Sequence, residues 1–488
     1  MSSNFRRTKI LATLGPATDA PGMLAQIIEA GVNVVRLNFS HGTPEQHAAR
    51  VAKVREISAS IGREVGILAD LQGPKIRIEQ FAAGKVALQT GREFRLVCRA
   101  DAPAGDENQV AVSYLGLVND VKVGDTLLLD DGLISLQVTA LQGDTIVTEV
   151  LAGGALSNRK GLNRLGGGLS LDALSEQDKE HIAIAAKLDV DFLAVSFCRS
   201  AADIEQARAI AKSHGSFAHI VAKIERAEAI ANLVEITEAS DVVMVARGDL
   251  GVEIGDAELP GLQKLIIRTA LECNKVVITA TQMLQSMVDN PIPTRAEVLD
   301  VANSVIDGTD AVMLSAETAS GSYPVKAVQA MDRICLGAER QFKHDTDFEK
   351  APRDLQRVDQ AIAMAAMFVA EHIKLRGIIA LTESGGTARY LSRFRANVPL
   401  FGLSRFGYAR RRMALMRDVY PINFDSEGQS MRVAARKAVK QLFDQGFLET
   451  GDKVLITSGD HMEQHGATNT MRLLAVAEGG KTEGLGDL

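Results

Sequence analysis

Cysteine is scarce in this sequence, and its distribution excludes two common kinds of cysteine-rich protein. Cys98, Cys198, Cys273 and Cys335 are spread over the 488 residues, without a CxxC pair or the spacing of zinc ligands. A small disulfide-stabilised scaffold is therefore excluded. This usage is typical of a protein in a reducing cytoplasm.

Long apolar runs and an excess of positive charge are also absent. No run reaches the roughly 18 apolar residues of a membrane span. The basic start MSSNFRRTKI is not followed by the apolar region of a signal peptide. We therefore expect an unprocessed cytoplasmic protein without a membrane segment. The net charge of −7 argues against a nucleic-acid partner, so phosphate-rich ligands would need locally clustered Arg and Lys.

Short apolar runs alternate with amphipathic segments over the first 345 residues. Nearly continuous apolar runs are typical of strands buried on both faces, and their alternation with helices favours parallel pairing. Eight such units predict a closed (β/α)8 barrel. The predicted strands are KILATLG from Lys9, VNVVRLNF from Val32, EVGILADL from Glu64, DFLAVSF from Asp191, HIVAKIE from His219, DVVMVAR from Asp241, VVITATQ from Val276 and AVMLSAE from Ala311.

Two regions depart from the barrel pattern. Between about residues 73 and 168 the sequence is Gly-rich and alternating, which predicts an inserted antiparallel β-barrel lid. After about residue 345, a helix and four apolar runs indicate a separate α/β domain. The predicted domains are a catalytic barrel at 1–72 and 169–345, a lid at 73–168 and an effector-binding α/β domain at 346–488.

The polar residues that close the apolar runs are the candidate site, because chemistry in such barrels lies at the carboxyl ends of the strands. Residues two apart on a strand share a face, so each strand should present its terminal polar groups together. The candidates are Arg36, Asn38 and Ser40 after strand two, Asp70 after strand three, Lys223 and Glu225 after strand five, Arg247, Gly248 and Asp249 after strand six, Thr279 and Thr281 after strand seven, and Ser315 and Glu317 after strand eight.

Glu225 and Asp249 form a candidate metal pair. Two carboxylates from neighbouring strands suit Mg²⁺, which uses few protein oxygens and keeps positions for water and substrate. Lys223 would place a cation against a transferring phosphoryl group. Ordinary ion pairing of these acids with nearby Lys or Arg, including Lys223 with Glu225, is the alternative.

Further candidates lie near and within the predicted lid. Arg36 and Arg77 are candidate phosphate clamps, since guanidinium groups can bind phosphate through two parallel hydrogen bonds. Lys160 with Gly166–Gly168 could close over phosphates. A surface location for either arginine, and an interdomain hinge for the glycines, are the alternatives.

Long sequence motifs resemble the pyruvate kinase family, in the family's order, across nearly the whole chain. Together, MVARGDLGVE and PTRAEV are not generic barrel features. The matching segments are RTKILATLGPAT from Arg7, NVVRLNFSHG from Asn33, KIERAEAI from Lys223, MVARGDLGVEIG from Met244, ATQMLQSM from Ala280, NPIPTRAEVLDVANSVIDGTDAVMLSAETASGSYP from Asn290, and TNTMRLLAV near the end.

The resemblance implies transfer of a phosphoryl group from phosphoenolpyruvate to ADP, giving pyruvate and ATP, with Mg²⁺ or Mn²⁺. It makes Arg36, Gly248, Asp249 and Thr281 the contacts for phosphoenolpyruvate. Glu225 and Asp249 become metal ligands, and Lys223 stabilises the transferring group. The implied nucleotide-side residues are Asn38, Ser40, His41, Arg77 and Lys160. The proton that completes pyruvate would arrive near Thr281, through water and the Ser315–Glu317 pair.

One departure from the family concerns potassium. Many members have DTKGPEIR where this chain has DLQGPKIR, so Lys75 replaces an acid. The Lys75 ammonium could supply the charge of K⁺, and we predict activity without added K⁺. The ligands implied by the resemblance are retained, which leaves a K⁺ site as the alternative: Asn38, Ser40, Asp70 and Leu71.

A second departure concerns regulation. The segment from Leu381 resembles the family's effector loop, where hydroxyls and backbone amides can hold a phosphate. The later loop from Thr457 lacks the Trp and Arg that some relatives use for fructose 1,6-bisphosphate, so we expect a sugar monophosphate or nucleotide effector. An unregulated loop is the alternative. The candidate effector residues are Thr382, Ser384, Gly385, Gly386 and Thr387.

Two other functions fit parts of the pattern. An aldolase or lyase acting on a Mg²⁺-bound keto acid would share Glu225 and Asp249, but it does not need Arg77 or a lid with Lys160. A silent phosphometabolite sensor would be expected to lose Lys223, a metal acid or Thr281, and all are present. The resemblance also implies a homotetramer, which suits cooperative binding.

Overall fold

The computed structural model describes residues 5–341, 355, 357–394, 397–459 and 468–484. Eight parallel strands close into a barrel, each hydrogen-bonded to its neighbours in chain order, and the last pairs with the first. The predicted barrel is therefore confirmed. The barrel strands, numbered in chain order, are β1 (Lys9–Thr13), β2 (Val34–Asn38), β3 (Gly66–Asp70), β4 (Phe192–Val195), β5 (His219–Ile224), β6 (Val242–Ala246), β7 (Val276–Ala280) and β8 (Ala311–Leu314).

Alternation along the strands separates the barrel interior from the helical layer. One set of apolar side chains fills the interior: Leu11, Val34, Leu68, Ala194 and Val221. Their neighbours face outward and pack with the helices. Because side chains two positions apart share a face, the next inward positions carry the polar groups of the rim. These are Thr13, Arg36, Asp70, Ser196 and Lys223.

Helices surround the barrel, and several begin at residues suited to capping them. The helix Pro44–Ile61 begins after Thr43, whose hydroxyl accepts from the Gln46 amide, with Pro at the first turn. Ser175 caps the next long helix in the same way. The other helices are Met23–Glu29, Glu176–Lys187, Ala201–Ser213, Ala227–Ala231, Leu233–Ala239, Arg247–Ile254, Leu259–Glu272, Arg295–Asp307, Ala316–Ala319 and Pro324–Gln341, with 3₁₀ turns at Pro16–Thr18 and Gln285–Val288.

The insert after β3 is mainly antiparallel, as predicted, and has its own apolar core. It departs from the expectation in two ways: its strands form separate sheets of six and two rather than one closed barrel, and one pair is parallel. The six-stranded sheet runs in the order Leu162–Arg164, Thr126–Leu129, Ile134–Gln142, Thr145–Ala152, Glu93–Val97 and Gln109–Ala111. The two-stranded sheet joins Lys85–Leu88 with Gly154–Ser157, and a short helix spans Leu117–Asp120.

The C-terminal region is an α/β unit with one six-stranded sheet. Its first four strands are parallel and its last two antiparallel, in the order Val419–Asn423, Leu400–Ser404, Gly377–Leu381, Lys453–Gly459, Thr468–Val476 and Thr482–Glu483. The helices are Val358–His372, Gly386–Arg393, Gly407–Met413 and Met431–Asp444, with a 3₁₀ turn at Glu478–Gly480. The domain limits proposed at 73 and 168 remain predictions, and the limit at 345 lies outside the described residues.

Buried ion pairs attach the C-terminal unit to the amino-terminal end of the barrel. Arg393 pairs with Asp310, which directly precedes β8. The guanidinium of Arg417, 2% exposed, donates to Thr8 and to the carbonyl oxygens of Val305 and Thr309. The opposite, carboxyl-terminal rim therefore stays open toward the lid. Within the described ranges, no helix has the length and apolar character needed to cross a bilayer.

Candidate active site

Lys223 is the central cation of the carboxyl rim. Its Nζ atom lies 2.8 Å from Oε1 of Glu225, 3.3 Å from Oδ1 of Asp70 and 2.7 Å from Oγ of Ser196. Burial would lower the pKa of this lysine, but Asp70 and Glu225 outweigh it and raise the pKa well above the usual value. Lys223 is therefore charged at every physiological pH.

Arg36 and Asp70 place a second cation beside Lys223. Arg36 Nε lies 2.6 Å from Asp70 Oδ2, and its Nη1 donates to the Thr13 hydroxyl at 3.2 Å. Burial alone would raise the pKa of Asp70, but Lys223 and Arg36 hold it below its ordinary value. Asp70 is thus an ionised carboxylate shared by two cations, Arg36 and Lys223.

Glu225 and Asp249 lie close enough to interact electrostatically. Burial raises the pKa of Glu225; Lys223 lowers it, and the charge of Asp249 raises it. Asp249 is in the first turn of the helix Arg247–Ile254, not on a strand as expected, and its Oδ1 is 3.2 Å from Lys75 Nζ. Two such acids supply the few protein oxygens that Mg²⁺ takes, although each is paired with a lysine here. Across the described ranges there is no group of three or more His, Cys, Asp or Glu arranged to hold a metal.

The loop after β7 brings Thr281 to the start of the helix that carries Asp249. The Gly248 amide donates to Thr281 Oγ1 at 2.8 Å. Thr281 and Gln282 both have left-handed backbone conformations, with φ of 69° and 54°, which is unusual for a β-branched residue such as Thr281. Arg247 supports this loop by donating to the Thr281 carbonyl at 2.7 Å while pairing with Asp300. Arg247 therefore faces the loop and the helical layer rather than the rim.

Two rim expectations at β7 and β8 need correction. Thr279 is fully buried, and its hydroxyl lies 3.0 Å from that of Thr309, because it faces the helical layer like Val277. Glu317 is also fully buried and accepts from the backbone amides of Ser315 and Leu284, at 2.7 and 3.1 Å. Ser315 therefore contacts Glu317 through its backbone amide and not through its side chain. The Ser315 hydroxyl has no hydrogen-bond partner among the described residues.

The predicted nucleotide-side residues lie on β2, the turn after it and the lid. Asn38 Oδ1 accepts from the Ser40 amide at 3.1 Å, and the Asn38 carbonyl accepts from the His41 amide. Arg77 donates to the Arg159 carbonyl at 3.0 Å. Lys160 pairs with Asp130 of the lid at 2.8 Å, so its ammonium is held within the lid in this structure.

The second connection to the lid, Gly166–Gly168, is hydrogen-bonded to two barrel residues, Glu253 and Glu228. The Gly166 amide donates to the Glu253 carbonyl at 2.8 Å, and the Gly168 amide donates to Glu228. All three glycines have positive φ, which other residues rarely adopt. Burial raises the pKa of Glu253 to about 7. These contacts anchor the glycines to the barrel, and their role as a hinge or as a phosphate lid remains a prediction.

The candidate effector loop is a compact turn leading into the helix Gly386–Arg393. The Gly385 amide donates to Thr382 Oγ1 at 3.0 Å, with φ of 86° at Gly385. Thr387 is 5% exposed, and its hydroxyl is 2.6 Å from that of Thr468. Part of the later loop, residues 460–467, lies outside the described residues. Ser384 and Gly386 are partly exposed at the mouth of the turn.

Sequence reasoning missed Ser196 and Thr13, although both occupy inward positions at the ends of predicted strands. Ser196 is two residues beyond the inward Ala194, and Thr13 is two beyond Leu11. The alternation used for the other strands would have found both. The contact between Lys75 and Asp249 has no comparable signal, because Lys75 follows β3 in the connection to the insert and is not placed by strand alternation.

The fold and rim are those of a (β/α)8 barrel enzyme whose rim joins two cations, Lys223 and Arg36, with two acids, Glu225 and Asp249. Comparison with known proteins agrees. The family model described as pyruvate kinase, barrel domain, matches residues 5–328, and the model described as pyruvate kinase, alpha/beta domain, matches residues 360–474. The chain belongs to the pyruvate kinase family and is a phosphotransferase.

Curated relatives match over nearly the full chain. The chain is 53% identical over 480 residues to pyruvate kinase II of Salmonella typhimurium, covering 98% of this chain and 100% of that protein. It is 50% identical to pyruvate kinase of Haemophilus influenzae, with 96% and 98% covered. It is 41% identical to pyruvate kinase of Geobacillus stearothermophilus, with 97% and 81% covered.

Proposed function

We propose that this chain transfers the phosphoryl group of phosphoenolpyruvate to ADP, as the last step of glycolysis in the cytoplasm. The observation that carries the proposal is the position of Lys223 beside Arg36 at the barrel rim, between Asp70 and Glu225. The bond between phosphorus and the enol oxygen breaks, and a bond forms to a terminal oxygen of ADP. The enolate then takes a proton at its methylene carbon and becomes pyruvate.

Lys223 and Arg36 supply positive charge where negative charge moves during this transfer. A loose phosphoryl transition state spreads charge over three oxygens, so catalysis depends on positioning and electrostatic stabilisation. The permanently charged Lys223 stabilises the transferring group, while Arg36 binds the substrate phosphate. Gly248, Asp249 and Thr281 bind the rest of phosphoenolpyruvate, and the Gly248–Thr281 hydrogen bond holds them together.

Glu225 and Asp249 would hold Mg²⁺ or Mn²⁺. Bound there, the cation would neutralise phosphate charge and polarise the enolate oxygen as a Lewis acid. The repulsion between the two acids fits a site that gains stability from a divalent cation, and Lys75 would have to move away from Asp249 when the cation binds. ADP would lie on the side of Asn38, Ser40 and His41, with Arg77 and Lys160 contributed from the lid region.

Lys75 would remove the need for potassium. Its Nζ contacts Asp249, so its charge lies beside the proposed phosphate site. Both oxygens of Asp70 are already paired with Arg36 and Lys223, and the Leu71 carbonyl accepts from Ser196 at 2.8 Å. These contacts support K⁺-independent activity, although Asn38, Ser40, Asp70 and Leu71 are all present as the alternative K⁺ ligands.

The C-terminal unit would bind a sugar monophosphate or nucleotide at residues 382–387. The helix amides after Gly385 and the partly exposed Ser384 support a phosphate site, whereas the Thr382 and Thr387 hydroxyls are hydrogen-bonded to Gly385 and Thr468 and would have to turn toward the ligand. A homotetramer would let this site influence the barrel through subunit contacts. Titrating sugar monophosphates and nucleotides against the phosphoenolpyruvate saturation curve tests the effector, and an unchanged curve would refute it.

The activity itself is tested by pyruvate release from phosphoenolpyruvate with Mg²⁺, in the presence and absence of ADP. We expect pyruvate and ATP in equal amounts, and no pyruvate without ADP. A lyase would form or cleave a carbon–carbon bond without ADP, whereas a sensor would bind phosphoenolpyruvate without turnover. Either result would overturn the proposed function.

A further inference from the structure

Ser196, just beyond β4, is an uncharged partner of Lys223. It is 1% exposed, and its Oγ lies 2.7 Å from Lys223 Nζ and 2.8 Å from the Leu71 carbonyl oxygen. A serine hydroxyl has one proton to donate and lone pairs to accept. Its proton is therefore directed to Leu71, and a lone pair faces the lysine ammonium.

Within the described residues, the other two side-chain partners of Lys223 are carboxylates, Asp70 and Glu225, and each would also interact with a second cation. Asp70 also pairs with Arg36, and Glu225 would turn part of its charge toward a divalent cation. A carboxylate neutralises the ammonium that it orients, which weakens the field available to a phosphoryl group. A neutral hydroxyl orients the same ammonium without cancelling its charge.

Phe197, the residue after Ser196, holds Glu225, one of the two carboxylates that contact Lys223. Phe197 has a left-handed backbone with φ of 56°, rare for a bulky residue, and its amide donates to Glu225 Oε2 at 2.8 Å. Strain of this kind persists where the surrounding structure enforces it, often at functional sites. The turn therefore holds Lys223 through a hydroxyl and Glu225 through an amide.

We propose that Ser196 is a positioning residue of the phosphoryl transfer, which aims the Lys223 ammonium while leaving its charge available to the substrate. This inference rests on the proposed function. In this proposal the hydroxyl acts through Lys223, its nearest side-chain partner at 2.7 Å, whereas Asp70 Oδ1 lies 3.5 Å away. Its removal should therefore slow phosphoryl transfer while metal binding and substrate affinity are kept.

The test compares Ser196→Ala and Ser196→Cys with the intact protein and a matched control. Cysteine keeps the approximate size of serine but is a weak hydrogen-bond donor and acceptor. Ser240→Ala is the control, because Ser240 is also 1% exposed and donates to a backbone carbonyl, before β6 at the opposite end of the barrel. The measurements are thermal stability, Mn²⁺ affinity by titration, and kcat and KM for phosphoenolpyruvate.

Both Ser196 variants should lose about 10- to 100-fold in kcat, the value of one hydrogen bond to a charged group. KM and Mn²⁺ affinity should stay close to those of the intact protein. The melting temperature should fall about as much as in Ser240→Ala, which also loses a buried hydroxyl but should keep full kcat. The exchange of pyruvate methyl protons with D₂O, which involves no phosphoryl transfer, should also be kept.

Three results would overturn the positioning role. Unchanged kcat in both variants would show that the hydroxyl is dispensable. Equal losses in kcat, proton exchange and Mn²⁺ affinity would assign Ser196 a general structural role. An intact protein without pyruvate kinase activity would refute the proposed function, and the inference with it. Folded Ser196→Cys protein keeps the test decisive if Ser196→Ala does not fold.

Discussion

Lys75 Nζ lies 3.2 Å from Asp249 Oδ1, which joins the first connection to the lid with the acid at the start of the Arg247–Ile254 helix. Both side chains are about one-quarter exposed, so the pair faces the open site. A cation contributed at this position lies where phosphates would bind. The relationship makes the potassium question testable by reversing the charge of one residue.

Lys75→Glu should make activity depend on K⁺. The intact protein should show no large stimulation by added K⁺, because the Lys75 ammonium already supplies the charge. The variant should lose about 100-fold of its rate in K⁺-free buffer, the scale for losing one stabilising charge near a transition state. Initial rates with and without K⁺ check this. Strong K⁺ stimulation of the intact protein would contradict it.

Gly73→Ala should disturb the site through the lid connection. Gly73 has φ of 69°, and an added Cβ would lie 2.7 Å from Phe197 Cδ2 and 2.8 Å from Ser196 Cβ. The variant should therefore lose both stability and kcat. Gly62→Ala is the matched control, since φ is 65° and nothing lies within 4 Å of the added Cβ.

Gly62→Ala should lose only the cost of placing alanine in a left-handed backbone conformation, about 1–2 kcal/mol of unfolding free energy. Its kcat should be unchanged. Melting temperature and steady-state kinetics separate the two effects. If Gly73→Ala and Gly62→Ala had the same melting temperature and the same kcat, the close contact of residue 73 with Ser196 and Phe197 would not matter for activity.

Asp418→Asn should stabilise the protein above about pH 6. Asp418 is fully buried, with Arg7 and Arg417 no closer than 3.9 and 3.8 Å, and neither carboxylate oxygen has a hydrogen-bond partner among the described residues. Burial raises its pKa to about 6, with Glu339 adding to the rise and Arg417, Arg7 and Lys9 opposing it. Asn also tolerates the left-handed backbone, φ 66°, of this position.

The sign of this pH dependence follows from the number of protons that the folded and unfolded states bind. Between about pH 4 and pH 6 the folded state keeps a proton that the unfolded state has lost, so stability falls as pH rises, by up to about 3 kcal/mol. The melting temperature of Asp418→Asn relative to the intact protein should therefore increase from pH 4 to pH 8. Glu371→Gln, an exposed carboxylate on the Val358–His372 helix, should show no such trend. A constant difference for Asp418→Asn would contradict the expectation.

Much of the fold and of the barrel rim could be predicted from two features of the sequence: the alternation of side-chain direction along strands and the polar residues that end the apolar runs. The barrel strands and the inward pairing of Lys223 with Glu225 follow from apolar runs and a period of two. The same rule failed at Thr279, because the inward set in β7 is Ile278 and Ala280. It failed again at Asp249, which lies on a helix that begins directly after β6.

Other features depend on contacts that no local pattern encodes. The positive φ angles of Phe197 and Thr281 occur in residues that usually avoid that conformation, so composition gives no sign of them. The contact between Lys75 and Asp249 depends on how the insert is placed over the rim. Register within a closed barrel, rather than sequence separation, decides which rim side chains meet.

The most direct test of the central claim is ADP-dependent pyruvate release by Lys223→Met, measured with Mg²⁺ beside the intact protein and Lys187→Met, an exposed lysine on the Glu176–Lys187 helix. The account predicts robust activity in the intact protein and in Lys187→Met. It predicts a loss of about 100-fold or more in Lys223→Met, with its fold retained. Full activity in a folded Lys223→Met protein, or no activity in the intact protein with Mg²⁺, K⁺ and candidate effectors, would contradict it.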